Sequence, residues 1–498
     1  MSKIKDKPSI TTLGELTSSG YTSTSVKMEL RNNLMDRLKN KVDPFPGIFG
    51  YEHSVVPELE RAILSMHDIN LLGLRGQAKT RIARMMINLL DEYIPAIADS
   101  ELNDDPLSPI SRFGISEIEK HGENTKISWI HRDERYTEKL ATPDVSVADL
   151  IGDVDPIKAA NLKLPYSDER VIHFGLIPRA HRGIFVINEL PDLQARIQVA
   201  LFNILQEGDI QIRGFKLRLL LDVQFVFTAN PEDYTNRGSI VTPLKDRIDS
   251  QIITHYPKSI EVGRKITEQE AHIKKEQSES VETSKLILDL VEQIAIEARA
   301  SEFVDEKSGV SARLTISALE NLYSAAERRM LINGDKNTHI RIGDFGGTIP
   351  SITGKIELVY EGEQEGSGFV AQNLIGKAIR HQFDLYFPNP EKVRKQKKST
   401  YSEITNWFGT GIQLDLLSDA DEKTYQSSLE KVPGLKELVE NHTNDSSKYL
   451  MMEFALHGLA EFSMLSKNTL EQGLEFKDLL SSMFTMPEPG EEGYIQEN

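Results

Sequence analysis

Two short stretches carry residue types that work together in chemistry. The first, LLGLRGQAKTR (Leu71–Arg81), sets two glycines, a lysine and a threonine between an apolar run and an amphipathic one. Gly73 and Gly76 permit a tight turn whose backbone N–H groups point inward at anionic oxygens. Lys79 would reach the outer phosphates of a nucleotide, and the Thr80 hydroxyl would ligate magnesium. Gly73, Gly76, Gln77, Ala78, Lys79, Thr80 and Arg81 are therefore the candidate nucleotide-binding residues. The strict pattern G-x-x-x-x-G-K-[ST] asks for glycine where this chain has Ala78, and alanine there costs little provided its φ is negative. The bland alternative is a chance Gly-rich turn before a helix.

The second stretch is GIFVINEL (Gly183–Leu190), an apolar run that ends in Asn188 and Glu189. It has the form of a buried strand delivering a carboxylate to a site at its C-terminal end. A carboxylate in that place would be costly to bury without work to do. In a nucleotide hydrolase such a strand ends in Asp-Glu, the Asp holding magnesium through water and the Glu polarising the attacking water. Here the first position is an amide. Asn188 offers one acceptor and no charge, so it should weaken a water-mediated magnesium contact by about 1–2 kcal/mol rather than abolish it.

The elements that must position these residues follow from the hydropathy pattern. Short apolar runs, INLLGL, GIFVIN, VQFVFTAN and QIITHY, alternate with helical spacing, which predicts a parallel sheet flanked by helices in an α/β domain. VKMELRNNLMDRLKNK, VVPELERAILSM and TRIARMMINLLDEYI read as helices, with Pro57 in a first turn. The polar stretch from Tyr93 to Val145 reads as an insertion rather than core. After Pro257 the pattern turns helical and predicts an all-α lid, followed by amphipathic helices such as KYLMMEFALHGLAEFSML. The expected division is a flexible arm and helix over 1–44, a nucleotide-binding α/β domain over 45–260 and a helical lid over 261–387. A linker and a helical extension with an acidic tail fill 388–498.

Composition narrows the classes. The 498 residues are 39% hydrophobic and 27% charged, ordinary for a globular protein and enough for a sizeable core. A formal charge of -18 argues against generic affinity for nucleic acid or anionic membrane. The chain has no cysteine, which excludes disulfides and thiolate metal sites. No signal peptide or membrane span is discernible, so a cytoplasmic location is expected. The basic run Lys392, Arg394, Lys395, Lys397 and Lys398 reads as a solvated linker in an acidic protein.

Taken in order, the motifs resemble the AAA+ ATPases, and within them the MoxR and magnesium-chelatase I-subunit branch, over Phe45 to Phe387. That branch commonly writes Ala before the loop lysine. HFGLIPRAHRGIFVINELPDL resembles its helix-2 insert and Walker B strand, and LFNILQEGDIQIRGFKLRLLLDVQFVFTANPEDY its pre-sensor hairpin and sensor-1 strand. The resemblance implies a P-loop AAA+ sheet, ATP and magnesium as cofactors, Asn230 as sensor 1, Arg247 in TPLKDRIDSQI as arginine finger, and Arg313 in SARLTI as sensor 2. Each has a plainer alternative: Asn230 a strand cap, Arg247 a surface ion pair, Arg313 a solvated side chain at a helix start. The resemblance also implies a ring, generally a hexamer, working with a von Willebrand A-domain partner.

The reading that follows is a slow ATPase motor that remodels a partner protein, with Glu189, Asn230, Arg247 and Arg313 as catalytic candidates and Thr80 and Asn188 as the magnesium-holding pair. Two alternatives stay open. One is a nucleotide-gated scaffold that does not turn over because of Asn188; the other is metal insertion of the magnesium-chelatase kind. Transcription activation is set aside, because the GAFTGA loop of sigma-factor activators does not occur in the chain.

Overall fold

The computed structural model describes residues 7–165, 168–210, 212, 219–231, 239–393, 400–443, 447–470 and 473–479. The chain forms two compact units, Met1–Tyr256 and Pro257–Asn498.

The first unit is built on five strands: β1 (Ile69–Leu72), β2 (Tyr136–Leu140), β3 (Gly183–Asn188), β4 (Val223–Ala229) and β5 (Ser250–Ile253). They pair in the order β5-β1-β4-β3-β2, and every pairing is parallel. Register brings the functional ends level: Leu72 lies beside Ala229, Phe227 beside Ile187, and Leu140 beside Asn188. β3 and β4 are buried along their whole length, which is why they read as continuous apolar runs. Alternate residues of β3 serve opposite faces. Ile184 and Val186 join α1 (Val26–Lys39), α2 (Val55–Leu64) and α3 (Lys79–Met85) in one core. Phe185 and Ile187 join Phe225, Phe227 and α4 (Ala195–Glu207) in the other.

Three expectations for this unit need correction. The stretch Tyr93 to Val145 is not all insertion, because β2 completes the core sheet from within it. The helix after the phosphate loop stops early: α3 ends at Met85, one 3-10 turn follows over Met86–Leu89, and Tyr93–Ile97 is a strand antiparallel to Ile127–His131. Pro95 suits the strand, since it cannot continue a helix and biases Ile94 toward extended backbone. The polar N-terminal stretch is packed rather than loose over its described residues: Leu16 is buried, and the Trp129 indole N–H donates to the Ile10 carbonyl at 2.8 Å. Helix α1 is itself anchored by Glu29, which takes two hydrogen bonds from buried Arg135 at 2.7 and 2.6 Å.

In the second unit α5 (Lys285–Arg299), α6 (Arg313–Asn333), α7 (Ser367–Tyr386) and α8 (Lys448–Glu461) share one hydrophobic core with residues on both sides of position 387. Helix α8 is not amphipathic. Leu450 to Leu459 are buried without a break, and Glu453 is satisfied inside by the N–H groups of Ile342 and Gly343 and by the Tyr425 hydroxyl. A sheet of three antiparallel strands, Leu414–Leu417, Gly473–Lys477 and Ser466–Leu470, occupies a region expected to be helical. Of the basic run only Lys392 falls within the described residues, and the acidic tail lies outside them, as does the tip of the hairpin between Asp209–Ile210 and Leu219–Leu220.

Candidate functional site

The C-terminal ends of β1, β3 and β4 converge, and each carries one of the sequence-selected groups. Parallel α/β sheets place ligand sites at this edge. The chain leaves β1 at Gly73, whose N–H donates to the Ala229 carbonyl at 3.1 Å. A Cβ at Gly73 would collide with the Thr254 hydroxyl and the Gln77 side chain, so glycine is a packing requirement there. Gln77 is buried and braces the loop: its carboxamide oxygen accepts from Thr254 at 2.7 Å, and its backbone carbonyl accepts from the Tyr51 hydroxyl at 3.0 Å. Burial pushes Tyr51 up to about 12, which keeps that hydroxyl a donor. Gly76 sits at φ +71°.

Ala78 departs from expectation. Its φ is +59°, in the left-handed region that favours glycine, so the condition under which alanine would be harmless is not met. Lys79 follows as the first residue of α3 and is buried. Its ammonium donates to the carbonyls of Gly73 and, at 3.0 Å, Leu74, and to the Asn230 carboxamide oxygen at 2.7 Å. Thr80 and Arg81, both half-buried, complete the first turn. The loop thus folds around its own lysine.

Asn230, one residue past β4, links two charged groups. Its oxygen faces Lys79 and its amide nitrogen donates to Glu189 Oε2 at 2.6 Å. An ammonium only donates and a carboxylate only accepts, so this orientation of the amide is unambiguous. Glu189 itself sits at φ +54°, an uncommon backbone for glutamate and one found disproportionately at functional sites. Its N–H is held by the Thr228 hydroxyl at 3.1 Å. Lys79, Asn230 and Glu189 therefore form one hydrogen-bonded chain across three strand ends.

Asn188 is buried and is held at both ends of its amide. Its carboxamide oxygen accepts from Thr228 Oγ1 at 3.1 Å, and its nitrogen donates to Glu138 Oε1 at 2.6 Å. Sequence reasoning missed both partners. Thr228 could have been noticed as a hydroxyl inside an apolar strand two residues before Asn230. Glu138 gave no comparable signal, because its strand reads as polar.

Each of the two arginines bonds within its own unit. Arg247 donates to Gln206 Oε1 at 3.1 and 2.8 Å and to the Pro243 carbonyl at 2.7 Å, with its guanidinium over the Phe202 ring. It is tied to Gln206 of α4. Arg313, in the second unit, is exposed and opens α6, its N–H donating to Ser311 Oγ at 3.1 Å.

The donor set suits a magnesium–nucleotide complex better than a metal alone. No group of three or more His, Cys, Asp or Glu able to hold a metal occurs among the described residues. A cation at Thr80 would need phosphate oxygens and water as its other ligands, as magnesium commonly takes. No helix among the described residues is long and apolar enough to cross a membrane.

Comparison with known proteins adds a family match over part of the chain: the Sigma-54 interaction domain, over residues 165–252. That span contains Asn188, Glu189, Asn230 and Arg247. Among solved structures, a protein from Cytophaga hutchinsonii described provisionally as an ATPase is 16% identical, covers 72% of this chain and 97% of its own, and has a TM-score of 0.28. NtrX from Brucella abortus in complex with ADP is 14% identical over 62% of this chain and 52% of its own, with a TM-score of 0.28. A second structure of the same NtrX is 14% identical over 80% and 72%, with a TM-score of 0.30. At such scores the likeness bears on neither ligand nor activity. The strand order, the loop at the end of β1 and the family match over residues 165–252 agree with an α/β fold of AAA+ type.

Proposed function

We propose that the chain is an ATP-hydrolysing AAA+ motor of the MoxR and magnesium-chelatase type, assembling as a ring, most simply a hexamer, to remodel a partner protein. The observation that carries this reading is the chain Lys79–Asn230–Glu189, which joins a phosphate-binding lysine to a carboxylate able to orient water. A scaffold that only binds nucleotide has no use for that connection.

Bound ATP and magnesium supply the transferable phosphoryl group and the neutralising charge. The backbone N–H groups from Gly76 to Thr80 and the Lys79 ammonium hold the phosphates, with Gln77 keeping the loop in shape. Thr80 would ligate the cation, and the Asn188 carbonyl would accept from a water bound to it. Glu189 takes the proton side of the attacking water, placed by Asn230. Arg247, whose hydrogen bonds go to Gln206 and Pro243, fits a role at a neighbouring subunit's site. A von Willebrand A-domain protein is the proposed partner.

A second reading comes from the family match: sigma-54-dependent transcription activation. The chain contains no GAFTGA segment, the loop by which those activators engage their target, so the motor reading is preferred. Calorimetry and phosphate release test the proposal together. Lys79→Ala should weaken ATP binding by about 100-fold, the equivalent of two charge-assisted hydrogen bonds at about 1.5 kcal/mol each, and the parent should release phosphate with magnesium. Unchanged affinity in Lys79→Ala, or no turnover in the parent with or without a partner, refutes it.

A further inference from the structure

The amide at Asn188 leaves the end of β3 one negative charge short of what a magnesium-binding strand normally offers. That charge is present one strand away. Glu138 on β2 places Oε1 2.6 Å from Asn188 Nδ2. Its other oxygen accepts from Arg84 Nε on α3 at 2.9 Å and from the Tyr136 hydroxyl at 3.1 Å. We propose that Glu138 supplies, through the Asn188 amide, the negative charge missing from the end of β3, making it a positioning residue for the cation of the nucleotide site. The inference rests on the nucleotide-binding reading above.

Three observations support it. A carboxylate can only accept, so Glu138 forces the amide nitrogen toward β2 and the oxygen toward Thr228 on β4. Since β4 lies between β3 and the phosphate-loop strand β1, the acceptor end of Asn188 is turned to the loop side. Second, a hydrogen bond from the amide N–H to an ionised carboxylate draws electron density onto the carbonyl oxygen, because bonds in a chain polarise one another. The Asn188 oxygen thereby regains part of the acceptor strength that aspartate would have had. Third, the contact with Asn188 lies on the buried side of Glu138. Arg84 is largely exposed, and a solvated pair of that kind is worth little alone. A surface ion pair does not account for a carboxylate oxygen aimed at a buried amide.

The arrangement also reverses the simple expectation for restoring the aspartate. Asn188→Asp would bring two carboxylates into the contact now made by a donor and an acceptor. One of them would then be held protonated or pushed away, so the single substitution should not tighten magnesium.

The test is magnesium titration of the full chain with the non-hydrolysable analogue β,γ-imido-ATP, followed by calorimetry and, with manganese, by loss of the free-ion EPR signal. Four proteins are compared: parent, Glu138→Gln, Asn188→Asp and the double variant. Glu138→Gln should raise the half-saturating metal concentration by about tenfold while leaving analogue binding in EDTA unchanged. Asn188→Asp should move it by less than about threefold, and the double variant should return to the parental value. Parental metal dependence in Glu138→Gln overturns the inference, as does a tenfold tightening in Asn188→Asp alone. Should Glu138→Gln not fold, the Asn188→Asp arm decides by the same criterion. A parent that binds no analogue at any metal concentration overturns the nucleotide reading and this inference with it.

Discussion

Replacing Ala78 with glycine should stabilise the α/β unit, and the amount follows from one backbone angle. Ala78 is held at φ +59°, where an L-residue with a Cβ is disfavoured by about 1–2 kcal/mol relative to glycine. Against this, glycine adds conformational freedom to the unfolded chain, worth about 0.4–1 kcal/mol. The net gain is about 0.5–1 kcal/mol. For a unit of this size each kcal/mol moves the melting temperature by roughly 2–4 °C, so Ala78→Gly should raise it by about 1–4 °C. Ala78→Val is the opposing control, since a branched Cβ is a poorer occupant of the left-handed region, and it should lower the transition. Scanning calorimetry of the full chain without nucleotide measures both. A melting temperature that falls with glycine, or that does not respond to valine, would show that residue 78 is not held at positive φ and that the loop is not strained.

Two further outcomes are expected. Arg247→Ala should leave ATP affinity within about twofold of the parent and reduce turnover by roughly 10³-fold, the lower end of arginine-finger effects; phosphate release from mixed assemblies should fall with the variant fraction, and full activity in a monomer would refute the assignment. In the second unit, burial pushes Glu292 from 4.5 up to about 7, offset in part by the hydrogen bond from Thr267. The folded value lies above the unfolded one, so this stabilisation is complete below pH 4.5 and is lost as pH rises through 7. At about 1.36 kcal/mol per unit it amounts to something on the order of 2–4 kcal/mol. Urea melts at pH 5 and pH 8 should show the loss in the parent and a flatter profile in Glu292→Gln; equal slopes in the two proteins would refute it.

What the sequence reveals of this protein depends on how each segment is buried. β1, β3 and β4 announce themselves because a parallel strand covered on both faces must be apolar throughout or nearly so. β2 lies at the sheet edge, and its Tyr-Thr-Glu-Lys-Leu reads as a loop; with it goes the contact of Glu138 with Asn188. The helix after the phosphate loop is overextended by its pattern because the apolar spacing runs on into Tyr93 and Ile94, which serve a strand instead. In α8, Glu453 and His457 suggest a polar face, yet both are buried, and the glutamate is satisfied by backbone N–H groups from elsewhere in the unit. Lys79, Asn230 and Glu189 were identifiable one by one from their neighbours. Their joining into a chain, and the sign of φ at Ala78, depend on how the loop closes and leave no mark on composition or spacing.

The hydrogen-bonded chain from Lys79 through Asn230 to Glu189 makes the site an interlock. One amide has one end on the group that would greet a phosphate and the other on the group that would handle water. An anion that draws the ammonium toward itself weakens its hold on the Asn230 oxygen. Whatever turns that amide also re-aims the Glu189 carboxylate 2.6 Å away on its far side. Occupancy of the phosphate cradle and the aim of the carboxylate are therefore not independent variables.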